Sequence, residues 1–318
     1  MTVIQMSKVL KTIFLAAAFI FICLSDLQAA RIGVLKSRNL ESYNSVITSF
    51  SIASHHKIIE YDMRNDVQRG KAVIHQLKGE KLDLILAVGP LAATLAAENN
   101  DKVPILFCMV PNPDSYGLKG SNVTGISLTI PLRTQLGTLR LMADEVRRVG
   151  VIYKESNSSK LLGQARKVAK RLGMSIVAEN IDSTGEVSKG LGRLRGKVDA
   201  LWVIPDNVVL NRSAHRVMVD FAIRNKIPFF SLTPKLVKAG ALLSLSPDYA
   251  AIGKQAAVLA RKIVDQRVNP SLIPITPPEG IKIAINLTTS KKIGVQCDIA
   301  LAVFTYAAQH GFPIVVYK

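Results

Sequence analysis

Short apolar runs that alternate with helical segments constrain the fold of this chain more than any other feature of its sequence. The pattern is clearest where the runs Leu82–Val88 and Pro104–Val110 flank a segment of small residues, Leu91–Glu98. Apolar runs of this length that alternate with helices are typical of parallel strands buried on both faces. The sequence therefore predicts a sheet with ligand-binding loops at the carboxyl ends of its strands, where the strand order reverses.

The alternation occurs in two series, which predicts two lobes. The first series starts with the strand-like run Ala30–Ser37, and the second follows an amphipathic helix that starts at Leu132. A later helix, Tyr249–Asp265, predicts a return of the chain to the first lobe, and a strand at Ile281–Asn286 predicts a third crossing. Three strand-like crossings would form a hinge. We therefore expect an α/β protein of two doubly wound parallel-sheet lobes joined by a hinge.

These patterns divide the chain into four parts. The expected parts are a signal peptide at residues 1–29, a first lobe at 30–128 plus 247–279, a second lobe at 129–246 plus 280–295, and a C-terminal tail at 296–318. The tail is apolar and aromatic, and its default interpretation is an additional helix and strand. The sequence assigns no function to it.

The N-terminal residues have the composition of a secretory signal peptide. A basic start precedes the 12-residue apolar run Ile13–Leu24, and Leu27-Gln28-Ala29 offers a cleavage site before Ala30. The run is shorter than the ~20 residues of a membrane-spanning helix, so we expect cleavage and a periplasmic location. The bulky residues Phe21 and Ile22 precede Cys23, which disfavours a lipoprotein anchor there.

Motifs for enzymes and cofactors are absent from the sequence. It contains neither a G-x-S-x-G nucleophile elbow nor a G-x-x-x-x-G-K-[ST] phosphate loop. Its histidines and cysteines have no metal-ligand spacing. Cys108 falls in a predicted buried strand, and the sequence leaves open whether it pairs with Cys297. We therefore expect a protein that binds its ligand without chemistry and without a metal or cofactor.

The chain is basic, with a formal net charge of +18. Nucleic-acid-binding proteins cluster such charge on one face. Here Lys and Arg are spread along the chain, as in Arg147-Arg148, Lys170-Arg171 and Lys291-Lys292. We interpret them as solvated helix faces, some of which would favour residence beside anionic lipid. We expect a monomer with no nucleic-acid partner.

Turn-forming and polar residues cluster where predicted strands end, and these are the candidate binding residues. They are Gly89, Pro90, Leu91, Asn112, Asn122 and Thr124 in the first lobe, and Ser158, Ser159, Asp206, Asn207 and Ser231 in the second. Free N–H groups and hydroxyls after Gly89 and at Ser158-Ser159 would favour a carboxylate. Asp206 would pair with an ammonium group. The set suits a small zwitterion, while capping and turn formation alone also explain each residue.

Several short segments together resemble one protein family. They are Val88-Gly89 with Ala92-Ala93, Val103–Phe107, Pro113-Asp114 with Gly117-Leu118, Asn122–Ser127, Gly240–Leu242, Asp248-Tyr249, Ile252-Gly253, and Ile285-Asn286 with Gly294. In these segments the chain resembles the substrate-binding proteins of ABC transporters that include tryptophan- and tyrosine-binding periplasmic proteins. The resemblance implies a fold like that of type I periplasmic binding proteins, an aromatic or other small amino acid as ligand, and a permease with its ATPase as partners. The family usually has an Asp-Pro pair where this chain has Asn112-Pro113, so no ionic role is implied at position 112.

Two other functions fit the same sequence. One is a periplasmic sensor subunit that passes its ligand state to a membrane kinase or receptor. The other is a secreted α/β enzyme. Neighbouring permease and ATPase genes would distinguish a transport protein from the sensor, and recovery of unchanged ligand would argue against the enzyme.

Overall fold

The computed structural model describes residues 29–100 and 102–318, without the side chains of residues 296–298. The segment expected to be a signal peptide, with Cys23, lies outside the described residues apart from Ala29, and so does the side chain of Cys297. No helix in the described part of the chain is both long and apolar enough to span a bilayer.

The first sheet has five parallel strands in the order β2-β1-β3-β4-β5. These strands and their helices are β1 (Arg31–Lys36), α1 (Glu41–Ser54), β2 (Lys57–Asp62), α2 (Val67–Lys78), β3 (Leu84–Val88), α3 (Pro90–Asn99), β4 (Ile105–Val110) and β5 (Val123–Ser127). Every residue of β3 and β4 is buried, as the continuous apolar runs predict for central parallel strands. Asp66 caps α2 by accepting a hydrogen bond from the Arg69 N–H.

The second sheet has seven strands in the order β12-β11-β10-β9-β8-β6-β7. The elements from residue 132 onward are α4 (Leu132–Met142), β6 (Arg148–Tyr153), α5 (Glu155–Arg171), β7 (Ser175–Asn180), α6 (Val187–Leu194), β8 (Ala200–Trp202), α7 (Arg212–Arg224), β9 (Phe229–Ser231), α8 (Pro234–Lys238), β10 (Leu243–Pro247), α9 (Tyr249–Val264), β11 (Ile281–Asn286), α10 (Leu287–Ile293), α11 (Gln296–His310) and β12 (Ile314–Tyr317). The stretch β7-β6-β8-β9-β10 repeats the strand order of the first sheet. The two α/β units are therefore wound in the same way.

Helix α9 packs on the first sheet although it follows a strand of the second. Its residues Ile252 and Ala256 share one core cluster with Val46 and Phe50 of α1. Gly253 permits this close contact, because a Cβ there would lie 2.3 Å from the Val46 carbonyl oxygen. The chain therefore returns to the first sheet at α9, as the helical pattern predicts.

The chain passes between the two sheets at three places. It leaves the first sheet after the carboxyl end of β5, leaves the second after the carboxyl end of β10, and re-enters the second at β11. Backbone hydrogen bonds join the crossings: the Ser127 N–H donates to the Thr276 oxygen at 2.8 Å, and the Asp248 N–H donates to the Gly280 oxygen at 2.9 Å. Because two crossings start at carboxyl ends, the carboxyl edge of each sheet lies on the side of the crossings.

One strand pair departs from the wholly parallel arrangement that the sequence predicts. β11 runs antiparallel to β10, with Ile285 opposite Leu243. The physical reason is the path of the chain, since β11 enters the sheet from the side of the crossings, where β10 leaves it. The second sheet is therefore mixed.

The C-terminal residues form a helix and a strand, which is the default interpretation of their sequence. β12 pairs with β11 in parallel, with Ile314 opposite Ile283. Ile299, Val303 and Ala307 of α11 are buried in the core on one face of the second sheet. The tail thus extends this sheet by one strand and covers part of its face.

Candidate functional site

The strand order reverses at one position in each sheet, and several of the predicted residues lie there. In the first sheet the reversal falls between β1 and β3, which are followed by Ser37 and Gly89. In the second it falls between β6 and β8, which are followed by Lys154 and, after a short loop, Asp206. Such reversals leave a crevice, because the neighbouring connections diverge to opposite faces of the sheet. Both crevices lie at carboxyl edges and therefore on the side of the crossings.

Gly89 forms a tight turn at the first crevice. Its φ of 94° lies in the region that favours glycine, and a Cβ there would lie 2.4 Å from the Tyr43 hydroxyl and 2.7 Å from the Ser37 Oγ. The Ser37 hydroxyl accepts a hydrogen bond from the Ala92 N–H at 2.9 Å. Ser37 and Tyr43 therefore pack directly against this turn and hold the start of α3 in place.

Pro90 and Leu91 form the first turn of α3, immediately after Gly89. Pro90 has no N–H, and its fixed φ suits the first helical position. The Leu91 N–H makes no hydrogen bond within the described part of the chain, as is usual for a donor in the first helical turn. This N–H lies at the positive end of the helix dipole, so it can serve an anionic ligand group.

An arginine and two tyrosines lie beside the Gly89 turn. Burial raises the pKa of the Tyr43 hydroxyl, and the nearby Arg38 acts in the opposite direction. Tyr116 lies close enough to influence the same hydroxyl, and 39% of its surface is exposed. Arg38 itself is exposed just after β1. The first crevice thus combines a permanent positive charge with aromatic surface.

The end of β4 has left-handed backbone at two residues that are not glycine. Met109 has a φ of 60° beside an irregularity in the pairing of β4 with β5, and Asn112 has a φ of 45°. The Asn112 N–H donates to the Thr129 Oγ1 at 3.2 Å, and Thr129 belongs to the first crossing. Asn112 therefore lies at the carboxyl edge, as predicted, with its side chain exposed.

Asp206 is the centre of a hydrogen-bond network at the second crevice. Only 1% of its surface is exposed. Its Oδ2 accepts hydrogen bonds from the Lys154 N–H at 2.9 Å and the Ser158 hydroxyl at 2.7 Å. Its Oδ1 accepts from the Asn157 amide and the Val208 N–H, each at 3.1 Å. The carboxylate therefore ties the start of α5 to the loop that follows β8.

This network occupies the acceptor sites of the Asp206 carboxylate. Burial alone would raise the pKa of the Asp206 carboxyl, but the hydrogen bonds from Lys154, Ser158 and their neighbours outweigh it and lower the pKa. A carboxylate offers about four acceptor sites, and here four donors fill them. In this structure Asp206 positions the surrounding loops, and its pairing with a ligand ammonium, which would require one of these hydrogen bonds to be exchanged, stays a prediction.

The start of α5 also differs from the prediction. The sequence suggests that Ser156–Ser159 precede and cap this helix, but it begins at Glu155. The Glu155 N–H donates to the Asn180 Oδ1 at 2.8 Å, so a side chain from the end of β7 supplies an acceptor there. The Ser158 hydroxyl is committed to Asp206, so it is not free for a ligand carboxylate.

The remaining predicted residues of the second sheet lie at its carboxyl edge. Ser159 and Asn207 are exposed on either side of the Asp206 network. Ser231 is the last residue of β9 and is buried, and its hydroxyl donates to the Leu243 oxygen at 3.4 Å. Ser159 and Asn207 are therefore better placed than Ser231 to meet a ligand from solvent.

Two predicted residues lie away from the carboxyl edge. Asn122 precedes β5, and because β5 is parallel to β4 its start lies at the amino edge of the sheet. The Asn122 amide there donates to the oxygens of Asn100 and Val103 at 3.0 and 3.3 Å. Thr124 is buried inside β5, and its hydroxyl donates to the Ile273 oxygen at 2.7 Å. The prediction that these residues form a strand-end loop of the site is therefore wrong.

The described residues provide no cluster of metal-ligating side chains, and their one described cysteine side chain, Cys108, is buried. They contain no group of three or more His, Cys, Asp and Glu side chains that could hold a metal ion. Cys108 is a free thiol in β4, and complete burial raises its pKa. A thiol in this setting packs as a small apolar side chain.

A model of a known protein family matches most of the chain. The family is that of the ABC transporter substrate binding proteins, and the match covers residues 53–310. The chain belongs to this family. A tyrosine-binding protein of Clostridioides difficile strain R20291 is 28% identical to this substrate-binding protein over 248 residues, which are 76% of this chain and 71% of the relative.

Solved structures share the fold of this substrate-binding protein. A ligand-free, open structure of a substrate-binding protein with adhesive properties from Clostridium difficile matches with a TM-score of 0.78 and 25% identity, over 91% of this chain and 100% of that one. An ABC domain in complex with L-Trp from Streptococcus pneumonia matches with a TM-score of 0.58 and 21% identity, over 86% and 98%. The fold is therefore that of the type I periplasmic binding proteins, as expected.

Three residues at the first crevice of the substrate-binding protein were not among the sequence candidates. Ser37 and Arg38 follow β1, and Tyr43 lies in α1. Ser37 and Arg38 could have been found from the sequence. In a sheet with the order β2-β1-β3, the residues that follow β1 lie at the strand reversal. The position of Tyr43 under the Gly89 turn has no such signal, since it depends on how α1 packs.

Proposed function

We propose that this substrate-binding protein captures a small amino acid of the aromatic class between the carboxyl edges of its two sheets and releases it unchanged to an ABC permease. The observation that carries the proposal is the first crevice, where Arg38, Tyr43 and the Leu91 N–H surround the Gly89 turn. Membership of the family supports solute binding for an ABC transporter. The tyrosine-binding relative supports the amino acid class.

The groups at the first crevice suit the two ends of such a ligand. The Arg38 guanidinium and the Leu91 N–H would bind the carboxylate through charge-assisted hydrogen bonds. The rings of Tyr43 and Tyr116 would pack against an aromatic side chain. The ammonium group would take acceptors other than Asp206, whose oxygens already accept four hydrogen bonds.

The proposal includes an arrangement of lobes and a location. We assign residues 30–128 with 247–279 to one lobe and 129–246 with 280–318 to the other, because the tail pairs with β11 of the second sheet. The basic start and apolar run before Ala30 support export to the periplasm, with a permease and its ATPase as membrane partners. Capture between two lobes of this kind stabilises a closed form only by its differential affinity for that form.

Thermal unfolding in the presence of each of the twenty common amino acids tests this function. At a concentration of about 100 times its Kd, a ligand stabilises the folded state by about 2.7 kcal/mol, which corresponds to a rise in Tm of several degrees. We expect this rise with L-tyrosine or L-tryptophan and at least a tenfold weaker calorimetric affinity after Arg38→Gln. Arg64→Gln is the matched control, because Arg64 is exposed at the neighbouring strand end.

Three results would contradict the proposal. One is the absence of stabilisation by any amino acid, and another is equal affinity in the Arg38→Gln and Arg64→Gln variants. The third concerns chemistry: mass spectrometry of the ligand after prolonged incubation should return it unchanged, and a modified product would indicate an enzyme.

A further inference from the structure

The positive charge of the protein is concentrated on the second sheet and its helices. Residues 30–128 with 247–279 contain 15 Lys and Arg against 12 Asp and Glu. Residues 129–246 with 280–318 contain 24 Lys and Arg against 10 Asp and Glu. The formal charges are thus +3 and +14. The second part therefore produces most of the long-range positive field of the protein.

A large share of this charge lies along the amino edge of the second sheet, opposite its crevice. The neighbouring strands β7, β6, β8 and β9 start there, with Arg148 opposite Ser175 and Val149 opposite Ala200. Neighbouring strands lie about 4.8 Å apart, so the four starts span roughly 15 Å. The exposed basic residues at or shortly before these starts, which we call the distal basic row, are Arg147, Arg148, Lys170, Arg171, Arg195, Lys197, Arg224 and Lys226.

Few carboxylates offset the distal basic row. Asp199 lies within it, but its Oδ1 accepts a hydrogen bond from the Arg148 guanidinium at 2.7 Å. Its Oδ2 accepts from the backbone N–H groups of Arg147 and Arg148 at 3.0 and 2.7 Å. Asp144 and Glu145 are exposed before β6. Eight basic residues against these three acidic ones leave the edge strongly positive.

A groove with both polar and apolar lining opens beside the distal basic row. It has a volume of about 1040 Å³ and lies between α4 and α11, and its charged lining residues are Lys226 and the carboxylates Asp144, Glu145 and Asp199. Leu141 and Leu301 line it from opposite helices and are 56% and 70% exposed. The two leucines thus present apolar surface to solvent on both walls of the groove.

We propose that the distal basic row and this groove bind the surface of an anionic lipid bilayer. Lys and Arg would pair with phosphate headgroups, and Leu141 and Leu301 would enter the boundary between headgroups and acyl chains. A nucleic acid would match the charge but leave the exposed leucines without a role. The crevice lies at the opposite edge of the sheet, so it stays open to solvent while the protein rests on the membrane.

Co-sedimentation with lipid vesicles tests this surface. The protein is used both as the full chain and from Ala30, because the run Ile13–Leu24 would bind lipid by itself. Vesicles of phosphatidylcholine with phosphatidylglycerol are compared with vesicles of pure phosphatidylcholine, at low and high salt. We expect binding to the anionic vesicles only, and its loss at high salt, because screening weakens exposed charges.

Two matched sets of substitutions locate the contact. The first combines Arg171→Gln, Arg195→Gln, Lys197→Gln and Lys226→Gln in the distal basic row, and the second combines Lys71→Gln, Lys78→Gln, Lys81→Gln and Lys102→Gln, which are exposed residues of the first sheet. Each set removes four positive charges. We expect the first to lower the partition coefficient roughly 100-fold and the second to lower it by less than about tenfold. Leu301→Ser should reduce binding several-fold, and Ile52→Ser, at an equally exposed leucine-sized side chain of α1, should not.

The outcomes distinguish binding through the distal basic row from attraction that depends only on the net charge of the protein. Retention of binding in the first-sheet set and loss in the distal set support the proposal. Equal loss in both sets would overturn it, because attraction would then follow net charge alone. Absence of binding to anionic vesicles at low salt would overturn it as well, and so would complete displacement from vesicles by short duplex DNA, which would identify a nucleic-acid surface instead.

Discussion

Ser37 and Asp206 lie at the two strand reversals, Ser37 after the first strand of its unit and Asp206 after the third. Ser37 accepts a hydrogen bond from the start of α3, and Asp206 accepts hydrogen bonds from the start of α5. Each side chain thus fixes a helix start at a crevice, and it does so from within the protein. At this scale the binding groups proper are the exposed ones next to these anchors, above all Arg38.

The Asp206 network leads to a prediction about stability. Asp206→Asn replaces an acceptor-only carboxylate with an amide whose NH₂ must face donors, so we expect a loss of about 2–4 kcal/mol in the free energy of unfolding at neutral pH. Asp114→Asn, at an exposed residue, should change it by less than about 0.5 kcal/mol. Urea denaturation of the three proteins measures both values, and equal stability of wild type and Asp206→Asn would show that the network contributes nothing.

The lowered pKa of Asp206 gives this stability a pH dependence of known sign. An aspartate in an unfolded chain has a pKa of about 3.9, and in the folded protein the pKa lies below its ordinary value. The contribution of Asp206 to the free energy of unfolding is therefore complete above the pKa of the unfolded chain. It is lost as the pH falls through the pKa of the folded protein. The difference between wild type and Asp206→Asn should accordingly shrink when the same titrations are repeated below about pH 4.

At the scale of elements, hydrophobic periodicity suffices to predict most strands and helices. The structure is needed to know at which edge of a sheet a loop lies and how many hydrogen-bond donors surround a buried side chain. The buried runs of β3 and β4 are fully determined by their apolar composition. Asn122 was misplaced because a polar tip before a strand looks the same in sequence as one after it, although the two lie at opposite edges. The hydrogen-bond network of Asp206 could not be predicted, because no sequence pattern counts the four donors that converge on it from two loops.

The C-terminal helix α11 allows a prediction at the same scale. Val303 is fully buried in the core of the second sheet, whereas Leu301, two residues earlier, is 70% exposed. Val303→Ala should lower the free energy of unfolding by about 2 kcal/mol through lost burial and a residual cavity. Leu301→Ala should change it by less than about 0.5 kcal/mol, because a side chain in solvent leaves no cavity. Equal effects in urea denaturation would mean that α11 is not an integral part of this core.

At the scale of the whole molecule, the path of the chain puts both crevices on the same side as the crossings. Both reversals, the three crossings and the start of α9 lie at carboxyl edges, while the distal basic row lies at an amino edge. The crossings are joined by only a few backbone hydrogen bonds, such as Ser127 to Thr276 and Asp248 to Gly280. A ligand that touches both carboxyl edges can therefore bias the angle between the two α/β units, which is the geometry of a hinge.

Ligand-induced closure is the prediction that belongs to this scale. If one ligand contacts both edges, saturation with the amino acid that stabilises the protein most should reduce the radius of gyration measured by small-angle X-ray scattering, because ligand contacts favour the closed form. The Arg38→Gln variant at the same ligand concentration should keep the larger radius, since it binds less ligand. A radius that stays constant while calorimetry shows full occupancy would place the ligand on one sheet alone. In that case the strand order that the two units share would have no part in capture, and the crossings would only connect the units.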